Sequence, residues 1–489
     1  MSRINTNVPA LQAIGRLRFN QLDLHTRLER LSTGLRINRG KDDPAGLIAS
    51  ETLRSEIRAI RQAIDNSGRA INVISTAEGA LNEASALLLQ LQALTIATAN
   101  KGALTAEEID ANQLEVDSLL TSIDRIANTA SFGGRKLLDG SQAYNLAGVE
   151  SLDLASVSLF SARVPEGSSR TILVEVTQSA ERGQVAFHGD ARVNPGCTTS
   201  FTSAVTIEIG GTVGSEVISF ASGTSLTNIA QGINDQTDVT GVTARLSTTA
   251  GAPTASYSSV VFESTTFGSD AFVSVKPVTG NFMNYGNTGT TFDDNGLDAG
   301  VLINGQTASV KGLRADIRAN GLDARIYLTQ TFGQLQSSSS FQITGGGALF
   351  QIGAQVNGAS QVTMGLNSIT TSNLGNSVVG FLRSIASGNA NEVSNDNFIT
   401  AETIIAEAIN QVAVYRGRLG SVQKNQLDTN INSLQVALEN VTASESVIRD
   451  ADIALEVAAL TRAQILVQST QANLAIAINL PSQVLSLLG

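Results

Sequence analysis

The sequence predicts an α+β fold: a long antiparallel helical bundle and coiled coil from paired N- and C-termini, with inserted β-rich outer domains. Three observations carry this. Residues 1–130 and 400–489 are rich in Leu, Ile, Ala, Asn and Gln at helical spacing. The stretch between them is rich in Gly, Ser, Thr and Val with strand-like alternation. Aromatic residues are only 4% and Trp is absent, so burial must come from aliphatic side chains, as in bundles.

The elements follow in order. Leu24, Leu28, Leu31 and Leu35 are spaced 4, 3, 4 and predict a first helix that breaks at Gly34 and Gly40. Asp43-Pro44 reads as an N-cap followed by Pro at the first helical position, where a missing N–H costs nothing. From there Ile57, Ile60, Ile64, Ile71, Ile74, Leu81 and Leu88 mark one helix to about Asn100. It would be about 85 Å long and unstable without a partner. Thr105 with Glu108 has the form of a capping box, opening a helix with Ile109, Val116, Leu119, Leu120, Ile123 and Ile126. Leu427, Ile431, Leu434, Leu438 and Val441 give a further stripe near the other end. Val205–Ile209 and Arg325–Leu328 alternate as half-buried strands do. The expected domains are therefore 1–43 with 450–489, a terminal coiled coil; 44–189 with 341–449, a helical bundle with β-hairpins; and 190–340, an exposed β-rich insertion.

Composition limits the chemistry. A net charge of −11 argues against nucleic acid, because phosphate binding needs clustered Lys and Arg. The arginines of the first 70 residues, from Arg16 to Arg69, read as solvated helix faces and subunit contacts. Cys197 is the single cysteine, so no intrachain disulfide forms. His25 and His188 stand far apart, and no H-E-x-x-H or C-x-x-C occurs; no metal, cofactor or catalytic residue is expected. A Ser–His–Asp arrangement would need one of those two histidines and has no motif behind it. No apolar leader core and no stretch of eighteen apolar residues is present, so neither a cleaved signal nor a membrane span is expected. Ala463–Leu488 comes nearest, but Gln464, Gln468, Gln471, Asn473, Asn479 and Pro481 interrupt it.

Several motifs then occur in a family's order. Leu31–Asn38, Lys41–Gly46, Glu78–Leu81, Ile123–Ile126 and Phe132–Gly140 resemble the N-terminal region of bacterial flagellins. Arg462–Leu466 and Val484–Leu488 resemble the C-terminal region. The resemblance covers about 140 residues at the start and about 90 at the end. In the middle, Val301–Gly305 looks like the Ile-Asn motif of some flagellin and hook-protein insertions.

The resemblance implies a structural subunit that polymerises into the flagellar filament for motility and is not an enzyme. It implies terminal helices lining an inner tube, a surrounding bundle, and outward β-domains. It implies export, unfolded, through the flagellar type III apparatus to an extracellular filament. The alternatives are a hook–filament junction protein or a flagellin whose insertion serves as an adhesin. Implied partners are further copies of the chain, an export chaperone, and the filament cap and junction proteins. The residues expected to drive self-assembly are Leu11, Ile14, Leu24, Leu28, Leu31, Leu35, Leu474, Ile476, Ile478, Leu480, Val484, Leu485, Leu487 and Leu488. Leu17 belongs to the same stripe. Asn473 and Asn479 are expected to fix register, as buried amides do in coiled coils.

One departure bears on an innate immune receptor. Many flagellins carry Arg where this chain has Gln90, and an acidic residue where it has Ala93. The surface at Leu89, Gln90 and Leu94 is therefore expected to engage the Toll-like flagellin receptor weakly, because Gln lacks the guanidinium's charge and fork. Leu88 and Leu91 read as core.

Overall fold

The computed structural model describes residues 6–164, 168–188, 204–248, 258–280, 292–395 and 397–486. Its principal helices are α1 (Val8–Thr33), α2 (Pro44–Thr98), α3 (Ala106–Thr129), α4 (Leu226–Asn234), α5 (Phe398–Val422), α6 (Thr429–Arg449) and α7 (Ile453–Ser486). Sixteen strands are used below. They are β1 (Tyr144–Ala147), β2 (Leu154–Ala162), β3 (Arg170–Gln178), β4 (Gln184–His188), β5 (Val205–Gly210), β6 (Ser215–Phe220), β7 (Val242–Thr248) and β8 (Ser258–Ser264). Then come β9 (Phe272–Thr279), β10 (Phe292–Asn295), β11 (Gly300–Ile303), β12 (Gln306–Thr307), β13 (Ser309–Lys311), β14 (Arg314–Ala319), β15 (Leu322–Leu328) and β16 (Ser338–Gly346). The chain divides into two compact units, one of Met1–Ile71, Phe350–Gln361 and Val422–Gly489, the other of Asn72–Leu349 and Val362–Ser421.

In the first unit both chain ends fold together. The Asn7 side chain caps α1 by accepting from Ala10 N, and Gly34 ends it at φ 71°. A residue with a Cβ is disfavoured there, which is why the helix closes on glycine. The turn after α1 then meets the turn after α6. Leu35 and Asp450 form a β-bridge. Arg36 N donates to Arg449 O at 2.7 Å and Ala451 N to Gly34 O at 2.9 Å. The Arg36 guanidinium donates twice to Ile448 O, at 2.6 and 3.2 Å. This clasp explains the motif around residues 31–46. Asp43 caps α2 through Gly46 N at 2.9 Å. A Cβ on Gly46 would lie 2.4 Å from the Asp43 carboxylate and 2.7 Å from the buried Ile37.

The long helix is α2, and its buried stripe differs from the apolar count. Within the first unit it runs through Ser50, Ile57, Ile60, Ala63, Ser67 and Ala70. Ile64 and Ile71 are only half-buried. Asn430 Nδ2 reaches Ser67 Oγ at 3.4 Å and Ile352 O at 2.8 Å. The expected stripe on α6 is half-buried at Ile431, Leu434, Leu438 and Val441, and Leu427 before it is fully buried.

In the second unit the α2 stripe continues through Ile74, Ala77, Leu81, Ala84, Leu88, Leu91, Thr95 and Thr98, an unbroken 3–4 alternation. The capping box of α3 forms as expected from Thr105 and Glu108. Its helix buries Gln113, Val116, Leu120, Ile123 and Ala127. Three polar side chains of α3 hold residues 371–393. Gln113 bonds Ile385 O and Val393 N, Asp117 accepts from Ser387, and Asp124 accepts twice from Thr371.

The strands form two antiparallel β clusters, each with its own core. In one, the sheet β12-β11-β3-β16-β1 and the sheet β13-β14-β15-β2 enclose Ile172, Val174, Val301, Ile303, Ile326 and Phe341. In the other, the sheets β4-β8-β7 and β10-β9-β5-β6 with α4 enclose Ile207, Ile209, Ile229, Ile233, Phe262, Val273 and Val275. Strands from before residue 190 and from 300–343 thus share sheets: β15 pairs with β2 and β11 with β3. Around α5, Arg418 lies 3.6 Å over the Phe160 ring and pairs with Asp323, while Tyr327 Oη donates to Glu407 at 2.9 Å.

Candidate self-assembly surface

α1 and α7 pair antiparallel, because Asn7 Nδ2 donates to Ala477 O at 2.7 Å and Arg27 Nη1 reaches Glu456 at 3.0 Å. Each helix carries a heptad-spaced series of buried and half-buried residues. On α1 these are Ala10, Ala13, Leu17, Asn20, Leu24, Arg27 and Leu31; on α7 they are Glu456, Leu460, Ala463, Val467, Thr470, Leu474 and Ala477. This is a coiled-coil seam with small residues at many rungs.

The seam also carries charge. Glu456 is only 7% exposed and bonds both Arg27 and Arg30, at 3.0 and 3.2 Å. Reading these arginines as solvated faces is therefore corrected: they face a carboxylate more than 400 residues away, a pairing that local charge patterning does not reveal. Burial alone would raise the Glu456 carboxyl. The hydrogen bonds and charges of Arg27 and Arg30 outweigh burial and hold it below the ordinary carboxylate value. A carboxyl depressed on folding adds stability that is present above its unfolded value, about 4.3, and is lost as pH falls through its folded value. The stability advantage of the native chain over Glu456→Gln should thus be full at pH 7 and vanish on acidification. Thermal melts of filaments of both proteins across that range check it.

Outside the seam, both helices turn large apolar side chains to solvent. On α1 Leu11 is 61% and Phe19 72% exposed, with Val8, Ile14, Leu22 and Leu28 also open. On α7 Ile476 is 64% and Ile478 57% exposed, with Ile453, Leu455, Val457, Ile465 and Leu466 beside them in sequence. Scattered exposed leucines are ordinary, but thirteen large aliphatic or aromatic side chains on two helices are not.

The structure sorts the expected assembly residues accordingly. Leu24, Leu31 and Leu474 lie half-buried on the seam, as does Leu17. Leu11, Ile14, Leu28, Ile476 and Ile478 are exposed. Leu35 sits in the backbone clasp with Asp450. Leu480, Val484 and Leu485 fall within the span of α7, and Leu487 and Leu488 lie outside the described residues. Asn473 and Asn479 are exposed, so within one chain the seam amide is Asn20, whose Nδ2 lies 3.4 Å from both Leu466 O and Thr470 Oγ1. Their placement follows from the heptad phase, which passes through Thr470, Leu474 and Ala477. On α2, Leu89 and Gln90 are exposed and Leu94 is half-buried, while Leu88 and Leu91 are core.

Among the described residues, no group of three His, Cys, Asp or Glu is placed to hold a metal. No described helix is long and apolar enough to cross a membrane. Cys197 lies outside the described residues.

Comparison with known proteins matches the bacterial flagellin N-terminal helical region to residues 4–143 and the C-terminal helical region to 403–488. The flagellin hook IN motif matches 206–266, not the Val301–Gly305 stretch where the sequence suggested it. There, Asn304 and Gly305 instead form the tight turn between β11 and β12, with φ of 49° and 74°. A flagellin of Clostridium tyrobutyricum is 30% identical over 473 residues, covering 96% of this chain and 98% of that one. The B-type flagellin of Pseudomonas aeruginosa is 28% identical over 540 residues, covering 99% of each. Among solved structures, flagellar hook associated protein-3 from Legionella pneumophila covers 81% of this chain and 97% of its own at 14% identity, with a TM-score of 0.30.

Proposed function

Because this chain belongs to the bacterial flagellins and is a structural subunit of the extracellular flagellar filament, not an enzyme, we propose that it polymerises through the outward apolar rows of α1 and α7. The observation that supports this is the filled seam: the inward rows already satisfy each other, so the outward rows need other chains. Contacts repeated head to tail without closure build a helical filament.

In this reading residues 1–43 with 450–489 form the inner tube, 44–178 with 300–449 the surrounding bundle with its β cluster, and the β4–β10 cluster the outer surface, because β2 with β15 and β3 with β11 share sheets across the expected boundaries at 189 and 340. The terminal pair orders only on assembly, since a seam of alanine, leucine and interspersed polar rungs buries too little to offset about 1–2 kcal/mol per ordered residue. The chain travels unfolded and meets an export chaperone first and the cap and junction proteins later. The matched N- and C-terminal regions are those of flagellins, so the junction-protein alternative is set aside.

Leu11→Glu with Ile478→Glu tests the surface. Each fully buried large aliphatic contributes about 1.5–3 kcal/mol, so the critical concentration should rise at least about tenfold. The melting of the second unit should not move. Normal polymerisation of that variant, followed by light scattering, would refute the surface.

Gln90 bears on a second partner. It is exposed beside Leu89, yet it offers no guanidinium to a receptor carboxylate. Weak activation of the Toll-like flagellin receptor is expected, with a gain of about tenfold in potency for Gln90→Arg, a charge-assisted bond being worth about 1.5–3 kcal/mol. A reporter-cell titration in which the native chain is already fully potent would remove this proposal.

A further inference from the structure

The seam of the terminal pair is nearly silent about register. Its apolar rungs are alanine, leucine and valine, and a shift of one heptad would give almost every one another apolar partner. Three contacts share one register: Asn7 with Ala477, Asn20 with Thr470, and Glu456 with Arg27 and Arg30. The first two involve uncharged groups, which neighbouring backbone carbonyls or hydroxyls could replace. The third involves buried charge.

We propose that Arg27, Arg30 and Glu456 are the register key of the terminal pair, the residues that allow one alignment of the two chain ends and reject the heptad-shifted ones. The reasoning is one of exclusion. Moving α7 by seven residues toward the start of α1 would set Glu456 against Asn20 and Asp23, exchanging two cations for a like charge. Moving it the other way would carry Glu456 past the end of α1 to Gly34. Either displacement strips the Glu456 carboxylate of both cations and Arg30 of its carboxylate, leaving Arg27 only Asp23 of its own helix, and an unpaired buried charge is far costlier than a lost apolar contact. A single polar rung that specifies alignment at some expense of stability is a known device of coiled coils. The adjoining clasp, from Gly34–Arg36 to Ile448–Ala451, keeps the same alignment at the base of the pair. Only the ion cluster carries that alignment into the helices as charge.

This rests on the reading that the terminal pair is the assembling element, so the test reads alignment inside filaments separately from polymerisation. Cys197 is replaced by Ser in the full chain, and one of two cysteine pairs is added: Asn7→Cys with Ala477→Cys for the observed register, or Asn7→Cys with Thr470→Cys for the shifted one. Filaments are oxidised, and denaturing gels separate chains closed on themselves from cross-linked dimers. With Glu456 present, only the 7–477 pair should close. With Glu456→Leu, the 7–470 pair should close as well, beside the 7–477 pair that the clasp still favours. Combining Asp23→Arg, Arg27→Glu, Arg30→Glu and Glu456→Arg, which exchanges every charge of the cluster and keeps a like charge opposite position 456 in the shifted register, should restore the single product. Glu456→Leu filaments that still close only the 7–477 pair would overturn the proposal. If Glu456→Leu does not polymerise, the charge-exchanged variant decides. Filaments with the 7–477 product alone support the key, and failure to form them overturns it. Normal filaments of the native chain without the 7–477 product would instead refute the pairing itself.

Discussion

A chain lacking residues 450–489 is expected to form no filaments under seeding or salt conditions in which the full chain polymerises. The truncation removes all of α7. It strips Arg27 and Arg30 of Glu456, and it leaves the seam of α1 facing water. α1 is 26 residues long with glycine at position 15, and a lone helix of that composition is marginal. The exposed row from Ile453 to Ile478 goes with it. Each large aliphatic of that row is worth about 1.5–3 kcal/mol when buried between chains. Electron microscopy of the two proteins side by side decides the matter. Filaments from the truncated chain would move assembly to other elements. Failure of both chains would point to a required cap or second subunit.

The second large effect concerns stability. Phe262→Ala should destabilise the β cluster of β4–β10 by about 3–5 kcal/mol, the cost of deleting a fully buried aromatic ring from a packed core. Phe262 is fully buried among Val260, Ile207, Val273 and Ile233. Val217→Ala, at an exposed position on the edge strand β6, should change stability by less than about 0.5 kcal/mol. Urea unfolding of both variants checks the pair. Because neither residue belongs to α1 or α7, both should still polymerise. A Phe262→Ala chain that unfolds with native stability would mean this cluster is not held by that core.

Much of the helical frame is legible in the residues. Asp43-Pro44 marks the start of α2, and Thr105 with Glu108 the start of α3, because caps are local chemistry. The buried face of α2 is harder to read. It runs through Ala63, Ser67, Ala70, Ala77 and Ala84, small residues that an apolar count does not separate from the many alanines elsewhere. Leu28 fits a leucine stripe in the sequence but faces solvent, since the true heptad phase takes Leu24, Arg27 and Leu31. Alternation in Arg325–Leu328 identifies a strand yet not its neighbour, β2, some 160 residues earlier. The charged rung is hidden for the same reason. A carboxylate near residue 456 and two arginines near residue 28 meet only after the chain ends have been brought together.

The register of β3 against β11 places Gly300 directly opposite Gln178. The chain therefore departs for the β4–β10 cluster and comes back at adjoining points of one sheet. Topologically that cluster is a cassette, spliced in at a single address. Lineages can lengthen, shorten or exchange it while the flanking strands keep their partners. Variation can thus accumulate there without renegotiating the contacts on which polymerisation depends, and an engineer could graft foreign sequence at the same address.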